Sequence, residues 1–264
     1  MIGLIEFLQG LGNALTFLIV VGVLVGAAVL LPRLRQKLGL SLHKEMMDGA
    51  SDAYKAVVAS MIFVLAFAVY QVQGNYRTAE LSVEKEAGQL NLMDRSLLRY
   101  GSPDAIALRA LVTVYGNLVI SKEWPAMQKG GRSDEVDQAF DRLSAAMATL
   151  KPENSAQQTQ LGVFQRALDE TSDLREARLS MTSKSLPSLY WATITGLLIL
   201  LAILVACTSA TWDKLLGHAG QICAVGLLLS LVVIIDGPFR GDTSVPPDTI
   251  AQTLKVIQAR HPPA

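Results

Sequence analysis

Phe63 and Phe67 stand four residues apart in an apolar, uncharged stretch, a spacing that puts both rings on one face of a helix. Ala59 and Tyr70 fall near the same stripe. Turned toward the axis of an oligomer, stacked phenyl rings would make a hydrophobic constriction, which gates ions by dewetting. Turned toward lipid or a neighbouring helix, the same residues would be plain packing, and spacing alone allows both readings. A second constellation lies later in the chain, where Asp236 and Arg240 bracket Gly237, Pro238 and Phe239 directly after an apolar run. Charges at that place must be solvated, buried in protein or paired. The glycines and prolines of 236–248 predict a compact turn, which suits a structural anchor as well as a ligand site.

No arrangement of catalytic residues accompanies these features. The sequence has no Cys/His set at zinc spacing, no phosphate-cradling glycine loop and no G-x-S-x-G elbow. His43, His218 and His261 are scattered through connectors, a span end and the tail, and are read as ordinary surface residues. Arg175, Glu176 and Arg178 are read as a solvated helix face. Cys207 and Cys223 could bridge two neighbouring helices, but two small buried thiols are the simpler expectation. Enzymatic activity, a metal and a cofactor are therefore not expected. With 23 basic and 23 acidic residues the net charge is zero, so there is no basic field to attract nucleic acid.

The elements that must position the phenylalanines are membrane helices. Hydrophobic residues make up 51% of the 264, against 17% charged, too apolar for an ordinary soluble domain. Charge is absent from Phe7 to Pro32, Ala56 to Tyr76, Ser185 to Trp212 and Leu215 to Ile235. Each run exceeds the roughly 20 helical residues that cross a bilayer core. Four spans are thus expected at about 14–31, 56–72, 191–207 and 219–235. Pro32 and the basic Arg33, Arg35 and Lys37 should stop the first. Glu6, the lack of a basic leader and the length of that run argue for an uncleaved span rather than a signal peptide. Gly22 and Gly26 form a small-xxx-small pair that another helix could approach.

The middle of the chain reads as four amphipathic helices. The second span should run on unbroken to Leu98, and Ser102-Pro103-Asp104 starts the next helix. Ser133 is the expected N-cap of a third, with Val136, Phe140, Leu143, Met147 and Leu150 on one face. The fourth covers about 156–181. The expected architecture is all-α: a first transmembrane pair in 1–76, a soluble helical domain over 77–186, and a second transmembrane hairpin in 187–235. A turn-rich segment with a short helix through Ile250, Leu254 and Ile257 completes it over 236–264.

Several stretches resemble one family. Ile62 to Tyr70 is similar to the second span of bestrophin channels, Leu108 to Ile120 to their next cytosolic helix, and Asp236 to Phe239 to their segment containing Pro-Phe. The combination of Tyr76-Arg-Thr-Ala79, Lys122-Glu-Trp-Pro125, Leu174 to Leu179 and Asp236 to Asp242 more closely resembles the bestrophin-like, mainly bacterial membrane proteins. Bestrophins are pentameric anion channels with a narrow neck on the second span. The resemblance implies a homo-oligomer in a lipid bilayer, inorganic anions as the passing species, and Phe63 and Phe67 at two neck positions. Ala59 would stand where a larger aliphatic residue is expected, widening that ring. The calcium clasp of animal bestrophins follows Pro-Phe with a dense acidic run. Here Arg240 and Gly241 follow, with only Asp242 and Asp248 beyond, too few for the six to eight oxygens calcium takes.

Orientation is balanced between two arguments. Near the span ends, Arg33, Arg35, Lys37, Lys44 and Lys214 lie on the connector side, and Arg77, Lys85, Arg175, Arg178, Lys184 and Arg240 on the middle-domain side. The basic flank of the first span would hold the connectors in the cytoplasm. The resemblance implies the reverse, with the middle domain and termini cytoplasmic in a bacterial inner membrane, and is the orientation adopted. The expected function is an oligomeric anion channel or channel-like protein. A non-conducting scaffold that binds a partner through its helical middle is the alternative.

Overall fold

The computed structural model describes Phe7, Leu8 and residues 10–260; Glu6 and His261 lie outside the described residues. Among these the secondary structure is helical, with no strand. In chain order the helices are α1 (Asn13–Lys37), α2 (Lys44–Tyr100), α3 (Pro103–Leu118), a π-helical turn (Val119–Glu123), α4 (Trp124–Gln128) and α5 (Asp134–Met147). They continue with α6 (Ser155–Met181), α7 (Ser188–Cys207), α8 (Trp212–Ile235) and α9 (Asp248–Ala259). The described residues divide into two compact units, one formed by those up to 74 with 185–236 and 241–243, the other by 75–184, 237–240 and those from 244 on.

In the first unit α1, the first part of α2, α7 and α8 bury Val58, Met61, Leu65, Ala68 and Val72 of α2 against Ile194, Leu201 and Val205 of α7 and Ile222, Val225 and Val232 of α8. The outside is as apolar as the inside: Leu18, Val23, Leu30, Ile199 and Ile203 are exposed. An outer surface of this kind needs hydrocarbon around it. Pro32 does not stop the first span but lies inside α1. A proline costs only its own N–H and crowds the carbonyl four residues back, and α1 ends instead where Gly39 takes a φ of 71°. A Cβ at Gly22 or Gly26 would meet no other part of the chain within 4 Å among the described residues; the tight crossing is at Gly226, where a Cβ would lie 3.2 Å from Val21. His218, expected at the surface, is only 4% exposed. It packs edge-on to Tyr54 at 4.6 Å, and its Nε2 lies 3.2 Å from the Ser51 hydroxyl. Cys207 and Cys223 are free thiols, each half-buried.

The second unit is built on residues 75–100 of α2 with α3, α4, α5, α6 and α9. Ser102 caps α3, its hydroxyl accepting from the Ala105 N–H at 3.2 Å, with Pro103 in the first turn. Ser133 precedes α5 in extended conformation, but its side chain caps nothing. Asn154 does cap α6, accepting from the Gln157 N–H at 2.9 Å. The π turn precedes Pro125. A wider turn relieves the clash between a proline ring and the carbonyl four residues earlier, so the helix passes Pro125 and ends near Gly130, whose φ is 76°. Leu90, Leu97, Val112, Leu143, Phe164, Ile250 and Leu254 form the apolar core. Gly116 admits α9, since a Cβ there would stand 2.7 Å from Leu254 Cδ2.

Five helices among the described residues are long and apolar enough to cross a membrane: the spans in α1, α2, α7 and α8, and the stretch Pro103–Gln128. The fifth differs in its inward face, where Arg109, Tyr115 and Glu123 are buried and engaged with acidic or basic partners.

Candidate functional site

The α2 stripe is set by the helix's own asymmetry. At 3.6 residues per turn, Val58, Met61, Leu65, Ala68 and Val72 face the core of the first unit, and the opposite face leaves it. On that opposite face stand Ala59, Phe63, Phe67 and Tyr70, all exposed. Phe63 and Phe67 are 65% and 53% exposed and meet edge to face with centroids 4.8 Å apart, an arrangement aromatic pairs prefer. They form one wall of an open cavity of about 340 Å³ whose other wall is Leu189, Tyr190 and Thr193 of α7. Among the described residues more than half of each phenylalanine is left uncovered. Chemically the face is uncharged, so it excludes water without attracting either sign of ion.

The turn after α8 is anchored on both sides. Asp236 is buried, and its carboxylate accepts from the Leu186 N–H at 2.7 Å. Asp242 accepts from the Asn13 N–H at the start of α1 at 3.2 Å, beside a 2.7 Å bond from the Asn13 side chain to Thr243. A carboxylate there also complements the helix dipole. In the second unit the Arg240 N–H donates to the Gly237 carbonyl at 3.0 Å, and the Val245 N–H to the Pro238 carbonyl at 2.7 Å. Phe239 is buried edge-on against Trp124 at 5.9 Å, and the indole N–H donates to the Val245 carbonyl at 3.1 Å. The guanidinium of Arg240 reaches Gly130, where a Cβ would be 3.0 Å away.

Sequence reasoning missed what lies beside that tryptophan. Arg175 and Arg178 are not on a solvated face: Arg178 is fully buried and Arg175 is 5% exposed. Arg178 pairs with Glu86 of α2 and with Glu123 of the π turn, each at 2.7 Å, and its guanidinium lies 5.1 Å from the Trp124 ring. Arg175 pairs with Glu123 and, at 2.6 Å, with Asp137 of α5. Arg132 extends the chain of charge to Asp137 at 2.9 Å and Glu176 at 3.1 Å, and the Tyr115 hydroxyl donates to Glu86 at 3.1 Å. Burial alone would push the Glu123 carboxyl up, but the hydrogen bonds and charges of Arg175 and Arg178 hold it below the usual carboxylate range. Asp137 is likewise held low by Arg132 and Arg175 against the effect of burial. Burial, then the Glu86 charge, raises the Tyr115 phenol well above its ordinary value, so it stays protonated and donates to Glu86. A smaller cluster pairs buried Asp94 with Arg109 at 2.8 Å and with Arg260 at the end of α9 at 3.0 Å.

This combination of an outward phenylalanine pair on a long helix, a helical unit tied by buried arginines and a Pro-Phe turn beneath a tryptophan points to known relatives. The family model of the bestrophin-like domain matches residues 18–250. The chain belongs to the bestrophin-like family. Solved structures share its fold at low identity. One point mutant of a bacterial bestrophin homologue from Klebsiella pneumoniae superposes with a TM-score of 0.70 at 8% identity, covering 94% of this chain and 99% of that one. A second point mutant of that homologue gives 0.68 at 11%, covering 92% and 99%, and a form phased on zinc 0.66 at 12%, covering 93% and 98%. No curated protein matches the chain. This bestrophin-like protein is accordingly an all-helical, channel-like membrane protein.

Proposed function

We propose that the protein is a homo-oligomeric anion channel, pentameric, in which residues 56–72 of α2 line the central axis and Ala59, Phe63 and Phe67 form its hydrophobic neck. The observation that carries this reading is the outward pair Phe63 and Phe67, more than half exposed and meeting edge to face at 4.8 Å, on the face of α2 opposite the core of its own unit. Two phenyl rings per subunit around a shared axis would dewet the pore without coordinating an ion. Four helices cross the bacterial inner membrane in this reading. Pro103–Gln128 stays in water with the helical unit, because charged groups placed at membrane depth are costly and its inner face holds Arg109 and Glu123. The helical unit and both termini face the cytoplasm, following the family resemblance.

The test is stoichiometry and current. Purified protein should give a five-fold species by native mass spectrometry and single-channel currents in a planar bilayer carried by chloride. The double substitution Phe63→Ala, Phe67→Ala should widen the neck and raise conductance severalfold. A stable monomer, or a genuine current indifferent to the double substitution, contradicts the reading. An intact oligomer that carries no current would favour a scaffold that binds a partner through residues 77–184.

A further inference from the structure

At the far end of α1 a buried guanidinium has no counter-charge among the described residues. Arg35 is 8% exposed. Its Nη1 donates to the Leu40 carbonyl at 3.2 Å, and its Nη2 to the Thr208 carbonyl at 3.1 Å and the Met47 sulfur at 3.6 Å. The Nε is buried and has no hydrogen-bond partner among the described residues. No carboxylate among them pairs with it either, whereas the other arginines of comparable burial, Arg109, Arg175 and Arg178, each meet one. Neutral carbonyls offset part of the desolvation of a cation, but an unpaired buried charge remains costly, and an anion is what relieves it.

The loop that follows is shaped around this group. The Leu38, Gly39 and Leu40 N–H groups bond back to the Leu34, Gln36 and Arg35 carbonyls at 3.0, 3.1 and 3.3 Å. Gly39, at a φ of 71°, turns the chain over the guanidinium. The space left beside it is an open cavity of about 260 Å³ lined by Arg35, Gln36, Gly39, Ser41 and Met47 among others. Gln36 and Ser41 are exposed at its rim, with side chains that can donate to an oxyanion. Of the acids at the start of α2, Asp48 pairs with Lys214 at 2.6 Å and Asp52 with Lys55 at 2.9 Å, and Glu45 in the first turn makes no ion pair with Arg35. Arg33, Lys37 and Lys44 add positive charge close by in sequence. A basic pocket at the end of a membrane helix lies at headgroup depth, where anionic lipids are recognised.

We propose that Arg35 and the loop 36–42 form a binding site for a phosphate-type oxyanion, supplied by an anionic lipid headgroup or by free phosphate, in which Arg35 provides the charge and Ser41 and Gln36 the rim donors. The site is independent of whether the protein conducts ions.

The full-length protein is reconstituted in phosphatidylcholine nanodiscs, and its melting temperature is followed with added inorganic phosphate, against chloride at equal ionic strength, and with phosphatidylglycerol in the disc. A probe at about a hundredfold excess over its dissociation constant should raise the melting temperature by about 5–10 °C. A shift with phosphate identifies the free anion as a ligand, and a shift with phosphatidylglycerol alone identifies the headgroup; both support the site. Arg35→Gln should abolish the shift. Because that variant also removes helix-end hydrogen bonds, Ser41→Asp is the second: a carboxylate at the rim should raise the melting temperature in plain phosphatidylcholine and remove the response to either probe. No shift with either probe, or an undiminished shift in Ser41→Asp, overturns the proposal.

Discussion

Replacing Arg178 by methionine should unfold the helical unit far more easily, and the size of the effect can be worked from its contacts. Arg178 is fully buried and is the group between Glu86 and Glu123. Methionine preserves much of the volume, so little cavity forms. What remains is a buried pair of carboxylates: Glu123 keeps Arg175, while Glu86 keeps only the Tyr115 hydroxyl among its bonds described above. Removing one partner of a buried ion pair costs about 3–5 kcal/mol because the other charge is stranded. At about 2–4 °C per kcal/mol for a chain of this size, the melting temperature should fall by about 6–20 °C. Trp124, 5.1 Å from the guanidinium, is a local fluorescence reporter for the melt. Arg178→Lys should fall between the two, since an ammonium cannot fork to two carboxylates in the way a guanidinium does. Adding Glu86→Gln to Arg178→Met should recover part of the loss, a coupling read from the double-mutant cycle. A melting temperature within about 2 °C of the parent for Arg178→Met, less than about 1 kcal/mol on the same scale, would refute the view that this network holds the unit together.

Other consequences follow from the same contacts. Glu123 and Asp137 are both held below their ordinary values in the fold, so their contribution is fully present above the unfolded carboxylate range. It should be lost as acid drives pH down through the depressed values; melts between about pH 7 and pH 3 should show stability falling only below about pH 5, with a shallower fall in Glu123→Gln. An equal acid slope in that variant would remove Glu123 from the explanation. Gly116→Val should cost about 1–3 kcal/mol through overpacking, because even a Cβ would meet Leu254 at 2.7 Å, and Leu254→Ala in the same chain should restore part of it; additive losses would argue against the contact. Asp236→Asn leaves the Leu186 N–H with a neutral acceptor in place of a charged one and should lower stability by about 1 kcal/mol, measurable in the same melts.

Much of this fold is legible in the residues because its main signals are local. The uncharged runs announce membrane helices, and Ser102-Pro103 marks a helix start through backbone chemistry that depends on few neighbours. Pro32 reads as a break but is absorbed inside α1, since a proline removes one backbone bond and a long helix survives that loss. The buried ionic network is hidden by residue type. Arginine and glutamate are ordinarily surface residues, so Arg175 and Arg178 read as a wet face. Their positions carry the signal: Phe164, Leu168, Thr171, Arg175 and Arg178 recur every three or four residues and form one buried stripe. Glu86 sits in the same way between Val83 and Leu90. A charge in register with a core stripe is a buried charge, and it implies partners of opposite sign on facing helices. The partners come from α2, the π turn and α5, which no local pattern connects. His218 reads as a surface residue for a similar reason, its place in α8 being fixed by Tyr54 and Ser51 far away in sequence.

The central claim, that the Phe63 face of α2 borders a shared aqueous axis, is tested most directly by cysteine accessibility. In a background with Cys207→Ser and Cys223→Ser, Phe63→Cys channels in a planar bilayer are exposed to a charged, membrane-impermeant methanethiosulfonate. The account predicts that the reagent changes the current within the recording, that a cysteine at Met61 on the buried face does not respond, and that oxidation links neighbouring subunits through position 63. Labelling of position 63 only by a lipid-soluble maleimide, with no effect on current and no cross-link, would place the phenylalanines against lipid and contradict the account.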